Sequence, residues 1–139
     1  MADVFSKKKR SEVMSKIRAK NTKPEILVRS YLRKSGHRFG IHSKSLPGKP
    51  DIVFKKKMLA IFIHGCFWHG HKNCAIFKYP KSNRVFWRKK IETNRKRDSR
   101  VTRALRKLGW KTYVVWECRI KSGKFAASLD KKLMDFDAA

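Results

Sequence analysis

Cys66, His71, Cys74 and Cys118 have the types and spacing of a soft-metal site: Cys-x4-His-x2-Cys, followed much later by a lone cysteine. Thiolates joined by one imidazole suit a closed tetrahedral Zn²⁺ centre, and four protein ligands leave no position open for water, so such a centre would be structural. It would tie the irregular loop after the third strand to the end of the last strand. The competing account makes these ordinary buried cysteines, with Cys118 a core thiol at a strand end. His69 is not needed as a ligand, because His71 has the better spacing to Cys74.

A harder set of donors overlaps this one. Asp51 opens one apolar run directly after Pro50, and His64 closes the next. If the runs pair as a hairpin with a two-residue turn near Lys56-Lys57, Asp51 faces Phe62 and His64 is its diagonal neighbour; a looser turn puts His64 directly opposite. Either register places carboxylate and imidazole on one face at the hairpin's open end, where a hard cation could sit beside a proton carrier. His69 lies a few residues on, in the loop that zinc would fix. The plainer account makes Asp51 a turn residue and the histidines satisfied groups at strand ends. Glu25 also has two readings: the reciprocal residue of a capping box, or a further carboxylate near the metal.

Periodicity supplies the elements that must position these groups. Ser11 can cap a short helix carrying Val13, Met14 and Ile17. Thr22-Lys23-Pro24-Glu25 reads as a capping box opening a helix whose Leu27, Val28, Tyr31 and Leu32 form one apolar face, stopped by Gly36. Phe39 and Ile41 alternate as in a strand, Leu46-Pro47-Gly48-Lys49-Pro50 is a turn-rich connection, and Asp51–Phe54 with Met58–His64 give the hairpin. Residues 65–83 lack clean periodicity. From about Ser82 a long helix carries Phe86, Trp87 and Ile91, then Val101, Leu105 and Leu108, and ends at Gly109. Tyr113–Trp116 is a buried-looking strand, and Phe125, Leu129 and Leu133 mark a last helix. The order ααβββαβα predicts a single mixed-sheet α/β domain over residues 1–139.

Against 37 Lys+Arg stand only 10 Asp+Glu, a formal net charge of +27, yet 41% of the 139 residues are hydrophobic and 12% aromatic. A core therefore lies beneath a basic exterior, which excludes a purely disordered tail. Such an exterior is the footprint of a polyanion; an acidic membrane surface is the weaker option, since no amphipathic basic helix stands alone at either end. Met58–Trp68, the most apolar stretch, is broken by His64 and Gly65 and is too short to span a membrane. Lys7–Arg10 is followed by Ser11-Glu12 and Lys16–Arg18 rather than by the apolar segment of a signal peptide. Cytoplasm or nucleoid is expected, where a disulfide framework is not. Residues 1–21, Arg88-Lys89-Lys90 and Arg95-Lys96-Arg97 read as DNA phosphate contacts. Met14, Phe67, Trp68 and Trp87, large apolar residues among Lys and Arg, either enter and unstack a base step or belong to the core. Phe86, Trp110 and Trp116, flanked by periodic apolar residues, read as core.

Leu46-Pro47-Gly48-Lys49-Pro50-Asp51, the run Phe62-Ile63-His64-Gly65-Cys66-Phe67-Trp68-His69 with His71, Phe86-Trp87, and Leu108-Gly109-Trp110 through Val115-Trp116-Glu117-Cys118 resemble the very short patch repair (Vsr) DNA mismatch endonucleases over nearly the whole chain. The resemblance implies a fold similar to the PD-(D/E)XK restriction endonucleases, with Phe62-Ile63-His64 where that class carries acid-x-Lys. It implies an enzyme that nicks double-stranded DNA 5′ to the T of a T:G mismatch, left by 5-methylcytosine deamination within a methylation site. By position, Asp51 and the main-chain carbonyl of Ile63 would hold Mg²⁺, His69 would be the general base, His64 would assist at the phosphate and Glu25 would be an accessory carboxylate. Met14, Phe67, Trp68 and Trp87 would form a wedge at the mismatch, and Cys66, His71, Cys74 and Cys118 would bind Zn²⁺. Ile63 departs from the Thr of the family pattern, which matters little if only its carbonyl binds metal. A monomer is expected, with mismatch-repair accessory proteins as further partners and no membrane. The alternatives are a PD-(D/E)XK-like nuclease on matched DNA, and a zinc-stabilised DNA-binding module without catalysis.

Overall fold

The computed structural model describes residues 22–75 and 77–137. The predicted helix from Ser11, Met14 and the basic segment 1–21 lie outside them. Helix α1 (Lys23–Lys34) begins as expected: the Thr22 side chain accepts the Glu25 N–H, and Pro24 sits in the first turn, where no amide partner is lost. Its inward stripe runs through Val28 and Leu32, both fully buried, one helical turn apart. Leu27, expected on that face, lies about 100° round the helix from Val28 and is 46% exposed.

Next come β1 (Gly40–Ile41), β2 (Ile52–Phe54) and β3 (Leu59–His64). The long helix is α2 (Arg84–Lys107), followed by β4 (Lys111–Trp116), α3 (Glu117–Ser122) and α4 (Phe125–Asp137). The strands form one sheet in the order β1-β2-β3-β4. β1/β2 and β2/β3 are antiparallel, whereas β3/β4 is parallel. The hairpin register, Ile52↔Ile61, Val53↔Ala60 and Phe54↔Leu59, is that of the two-residue turn at Lys56-Lys57. The Met58 N–H closes that turn on the Lys55 carbonyl at 3.2 Å. One further step in this register sets Asp51 opposite Phe62, with His64 diagonal to it. Parallel strands cannot be joined by a tight turn, and α2 supplies the crossover from β3 to β4.

β3 is buried on both faces, which explains why its apolar run is continuous rather than alternating. Leu59 and Ile61 join Val28, Leu32, Ile120, Leu129 and Leu133 of the flanking helices on one side of the sheet. The even-numbered residues of β3 on the opposite side, Ala60 and Phe62, pack with Leu105 of α2 and with Val101, Trp110 and Val114. His64, next in the same alternation, therefore faces α2. Truncating a fully buried residue such as Ile61 to Ala costs about 2–5 kcal/mol.

α3 was not expected. Trp116 leads directly into a six-residue helix that stops at Gly123, whose φ of 77° closes the C-terminus. Cys118 is accordingly in the first turn of α3 rather than at a strand end. Among the described residues no helix is long and apolar enough to cross a membrane.

Candidate active site and metal centre

A groove of about 920 Å³ opens where β3 ends, bounded by the start of α1, the turn before Asp51, the loop after His64 and the Arg97–Thr102 stretch of α2. Gly48 makes that closeness possible: its φ is +74°, and a Cβ there would come within 2.3 Å of Val101 on α2. The turn so formed delivers Asp51 to the groove.

Asp51 is fixed across the strand ends by the Ile63 N–H, which donates to its Oδ2 at 2.7 Å. Burial pushes its carboxyl up to about 6; the Ile63 amide opposes this, while the adjoining Glu25 carboxylate adds to it through charge and a side-chain hydrogen bond. Glu25 is itself buried, and its Oε2 accepts from His42 Nε2 at 2.9 Å. Two shielded carboxylates in contact, backed by a histidine, form an oxygen-rich donor set that fits a hard divalent cation. The Glu25 backbone N–H donates to the Thr22 side chain that caps the helix, while its own side chain adjoins Asp51.

The imidazoles of His64 and His69 stack with centroids 3.8 Å apart and planes at 2°. Burial, and then the neighbouring His69, push His64 down to about 4, so it is neutral near pH 7. Its Nδ1 is buried and has no hydrogen-bond partner among the described residues. His69 Nδ1 lies 2.7 Å from Asp98 Oδ2. A carboxylate on Nδ1 fixes the ring and keeps Nε2 as the nitrogen that can exchange a proton with the groove.

Asp98 is a functional candidate that the sequence reading missed, because it lies within a run of Lys and Arg and resembles part of a solvated face. A signal was present. Ile91, Asn94 and Leu105 are the buried residues of α2, and Asp98 falls on their three-and-four spacing, where an unpaired acid is out of place.

On the other side of the same loop, ligand atoms of Cys66, His71, Cys74 and Cys118 all lie within 4.8 Å of one another. His71 Nδ1 is 3.6 Å from the Cys66 sulfur and 3.5 Å from that of Cys118. A tetrahedral ion with metal–sulfur bonds of about 2.3 Å has ligand–ligand edges of roughly 3.8 Å, so these atoms need little movement to hold one. Burial, chiefly, and the neighbouring thiols push Cys66 up to about 12, although the Cys118 amide opposes the shift. A cation is what would make such a thiol a thiolate. His71 stacks on Trp116 at 3.9 Å, which sets its ring plane.

The loop shared by the two clusters is bolted to α2. Asn94 Nδ2 donates to the Trp68 carbonyl at 2.8 Å, and the Arg95 guanidinium donates to the Gly70 carbonyl. Gly70 has a φ of +59°, and a Cβ would meet Ile91 and Arg95 at 2.5 Å, so only glycine fits between His69 and His71.

Phe67 packs edge-on against Trp68 and Trp87, each at 5.3 Å, and Trp68 lies 5.9 Å from Trp87. This trio stands at the groove, which Phe67 and Trp68 line. Phe86, expected in the core, is instead 59% exposed. The inward stripe of α2 starts at Trp87, so Phe86 falls on the solvent side and touches the trio through Trp87 at 5.2 Å. Trp110 does pack on the core face of α2. Arg88 and Lys89 are exposed at the start of α2, with Arg88 over the Tyr79 ring at 5.7 Å.

The family model described as "DNA mismatch endonuclease Vsr" matches residues 2–75. The chain is 50% identical over 120 residues to "Type II nicking enzyme V.XorIIP" of Xanthomonas oryzae pv. oryzae, covering 86% of this chain and 88% of that protein. It is 49% identical over 122 residues to "Type II nicking enzyme V.NmeAIP" of Neisseria meningitidis, covering 88% and 86%. It is 42% identical over 121 residues to "DNA mismatch endonuclease Vsr" of Escherichia coli, covering 87% and 77%.

Proposed function

The chain belongs to the Vsr family of DNA mismatch endonucleases and is itself a DNA endonuclease; from that premise we propose that it nicks double-stranded DNA 5′ to the T of a T:G mismatch, with Mg²⁺ in the groove and Zn²⁺ in the cysteine cluster. The observation that carries the reading is convergence. Asp51, the His64–His69 stack with Asp98, and Phe67 with Trp68, which pack on Trp87, all meet one groove. The PD-(D/E)XK type of nuclease fold is proposed on the same footing, since the mixed sheet presents its acid at the open end of a hairpin.

In this reading Asp51 and the main-chain carbonyl of Ile63 hold Mg²⁺, with Glu25 as the accessory carboxylate. When bound, Mg²⁺ polarises the phosphoryl oxygen and neutralises charge developing there. His69 takes the proton of the attacking water at Nε2, and the Asp98 carboxylate stabilises the imidazolium that results. His64 is kept neutral by burial, so it stacks on His69 without repelling the new charge and offers a ring nitrogen to the phosphate.

The aromatic trio acts before chemistry. A T:G pair is held less well than a matched one, so wedging a ring beside it costs less, and the choice of site is made partly by deformability. Arg88, Lys89 and the basic segment 1–21 hold phosphates without reading sequence. Met14 belongs to the same wedge by family position. The cysteine cluster keeps the loop in shape and takes no part in proton transfer.

The deciding experiment compares T:G, T:A and C:G duplexes of one sequence with Mg²⁺ present. A single nick on the thymine strand of the T:G duplex is expected. Equal cutting of all three would replace the mismatch reading with a nuclease acting on matched DNA, and intact duplexes at every pH would leave only a DNA-binding module.

A further inference from the structure

We propose that His42 is a positioning residue of the cation site: its imidazole holds the Glu25 carboxylate against Asp51, so that two carboxylates rather than one face the divalent ion. This rests on the reading of Asp51 as a cation ligand. His42 follows directly on β1, and its main-chain N–H donates to the Asp51 carbonyl at 3.1 Å, with Ser43 bonded likewise to Pro50 at 3.3 Å. Its backbone is thus tied to the residue that would bind the ion.

At that point the chain turns. The φ of His42 is +49°, a conformation that a side chain larger than glycine's adopts only where its surroundings impose it. The turn brings Nε2 to 2.9 Å from Glu25 Oε2, with the His42 side chain 20% exposed and that of Glu25 5%. Two carboxylates in one shielded pocket repel. Glu25 also has an alternative at hand, since the first turn of α1 leaves amides that its side chain could cap. A donor on the far side of Glu25 opposes both tendencies, and His42 occupies that position. His42 therefore selects between the capping and cation-binding conformations of Glu25. Sequence spacing gives no hint of the pair, because the two residues meet only when the loop after β1 folds back over the start of α1.

The test uses the full chain with His42→Ala and His42→Gln. Mn²⁺ affinity is read by the electron paramagnetic resonance of free Mn²⁺, and the Mg²⁺ concentration giving half-maximal nicking of a T:G duplex is read separately. His42→Ala is expected to weaken Mn²⁺ binding and raise the half-maximal Mg²⁺ by roughly 10- to 100-fold, the usual cost of losing a hydrogen-bond partner behind a metal site. His42→Gln, which keeps an N–H donor, is expected to restore most of both. Unchanged values in His42→Ala would overturn the proposal. So would equal impairment of both variants with a matching loss of thermal stability, the mark of a purely structural staple. A wild-type chain that neither binds Mn²⁺ nor responds to Mg²⁺ would remove the cation-site reading itself, whereas a responsive wild type with an indifferent His42→Ala would remove only the role of His42.

Discussion

His64 at the end of β3 and His69 of the loop that follows enter the groove beside Asp51, while Cys66 and His71 of that loop enter the cysteine cluster. The groove offers oxygen and imidazole donors around open space, and burial pushes Asp51 up and His64 down. The cluster offers sulfur, is closed by a ligand from a distant helix, and has no position for a substrate. Interleaving two centres of opposite character teaches that rigidity and reactivity are supplied by different chemistries to the same few residues. In the proposed reading the soft cluster fixes the backbone, and the hard donors line the open space of the groove.

If that division is right, changes on the groove side abolish cutting without unfolding. Asp51→Ala is expected to reduce nicking of a T:G duplex to background while keeping duplex binding, measured by gel shift; equal loss of both would make Asp51 a structural residue. His69→Ala is expected to slow single-turnover nicking roughly 10²- to 10⁴-fold, the range for a general base. Asp98→Asn removes one charge-assisted hydrogen bond to His69 and is expected to cost less, roughly 10- to 100-fold. A larger effect of Asp98 than of His69 would reverse their assigned roles.

Changes on the cluster side should do the opposite. Chelation, or Cys118→Ser, is expected to lower the midpoint of thermal unfolding by about 10 °C, with activity lost together with the fold. Metal analysis of the purified chain should find one Zn²⁺ per molecule. Clearly less, with unchanged stability after chelation, would return the cysteines to ordinary core thiols.

The smallest effect, on stability against pH without divalent cation, distinguishes groups within the groove. His64 titrates at about 4 in the fold against an ordinary 6.5, so its contribution to stability is present above about 6.5 and is lost as pH falls through 4. Asp51, at about 6 against 3.8, has the opposite sign: its contribution is present below about 3.8 and is lost as pH rises through 6. The two windows overlap and largely cancel, each worth about 3 kcal/mol. Urea unfolding at a series of pH values should therefore show Asp51→Asn losing stability from pH 6.5 down to 4. His64→Gln should lose it from pH 4 up to 6, a slope that saturating Mg²⁺ removes. Parallel slopes in the two variants would show that other groups dominate.

How much of this was legible in the sequence depended on the range of each interaction. The hairpin register could be derived because a two-residue turn at Lys56-Lys57 determines every pairing above it, and Asp51 and His64 fell into place with it. The gathering of Cys66, His71, Cys74 and Cys118 was legible because three cysteines with one well-spaced histidine have few other uses. Asp98 and His42 were not, since each acquires its meaning from a partner brought by tertiary packing: α2 laid against the loop, and the β1–β2 connection folded over α1. Phe86 was misplaced because an apolar residue one position off the inward stripe looks the same in sequence as one on it. α3 escaped because six residues are too few to show a helical period.

Parallel pairing of β3 with β4 has a consequence for how the chain comes into being. Synthesis delivers Asp51, His64 and His69 first, then the whole of α2 and β4, and only afterwards Cys118. At about 5–20 residues per second, a nascent chain spends several seconds with its candidate cutting groups made and the residue that locks their loop still to come. A DNA-cutting protein assembled in this order is expected to gain its competence only once Cys118 has been made, which is a safeguard written into the topology rather than into any single side chain.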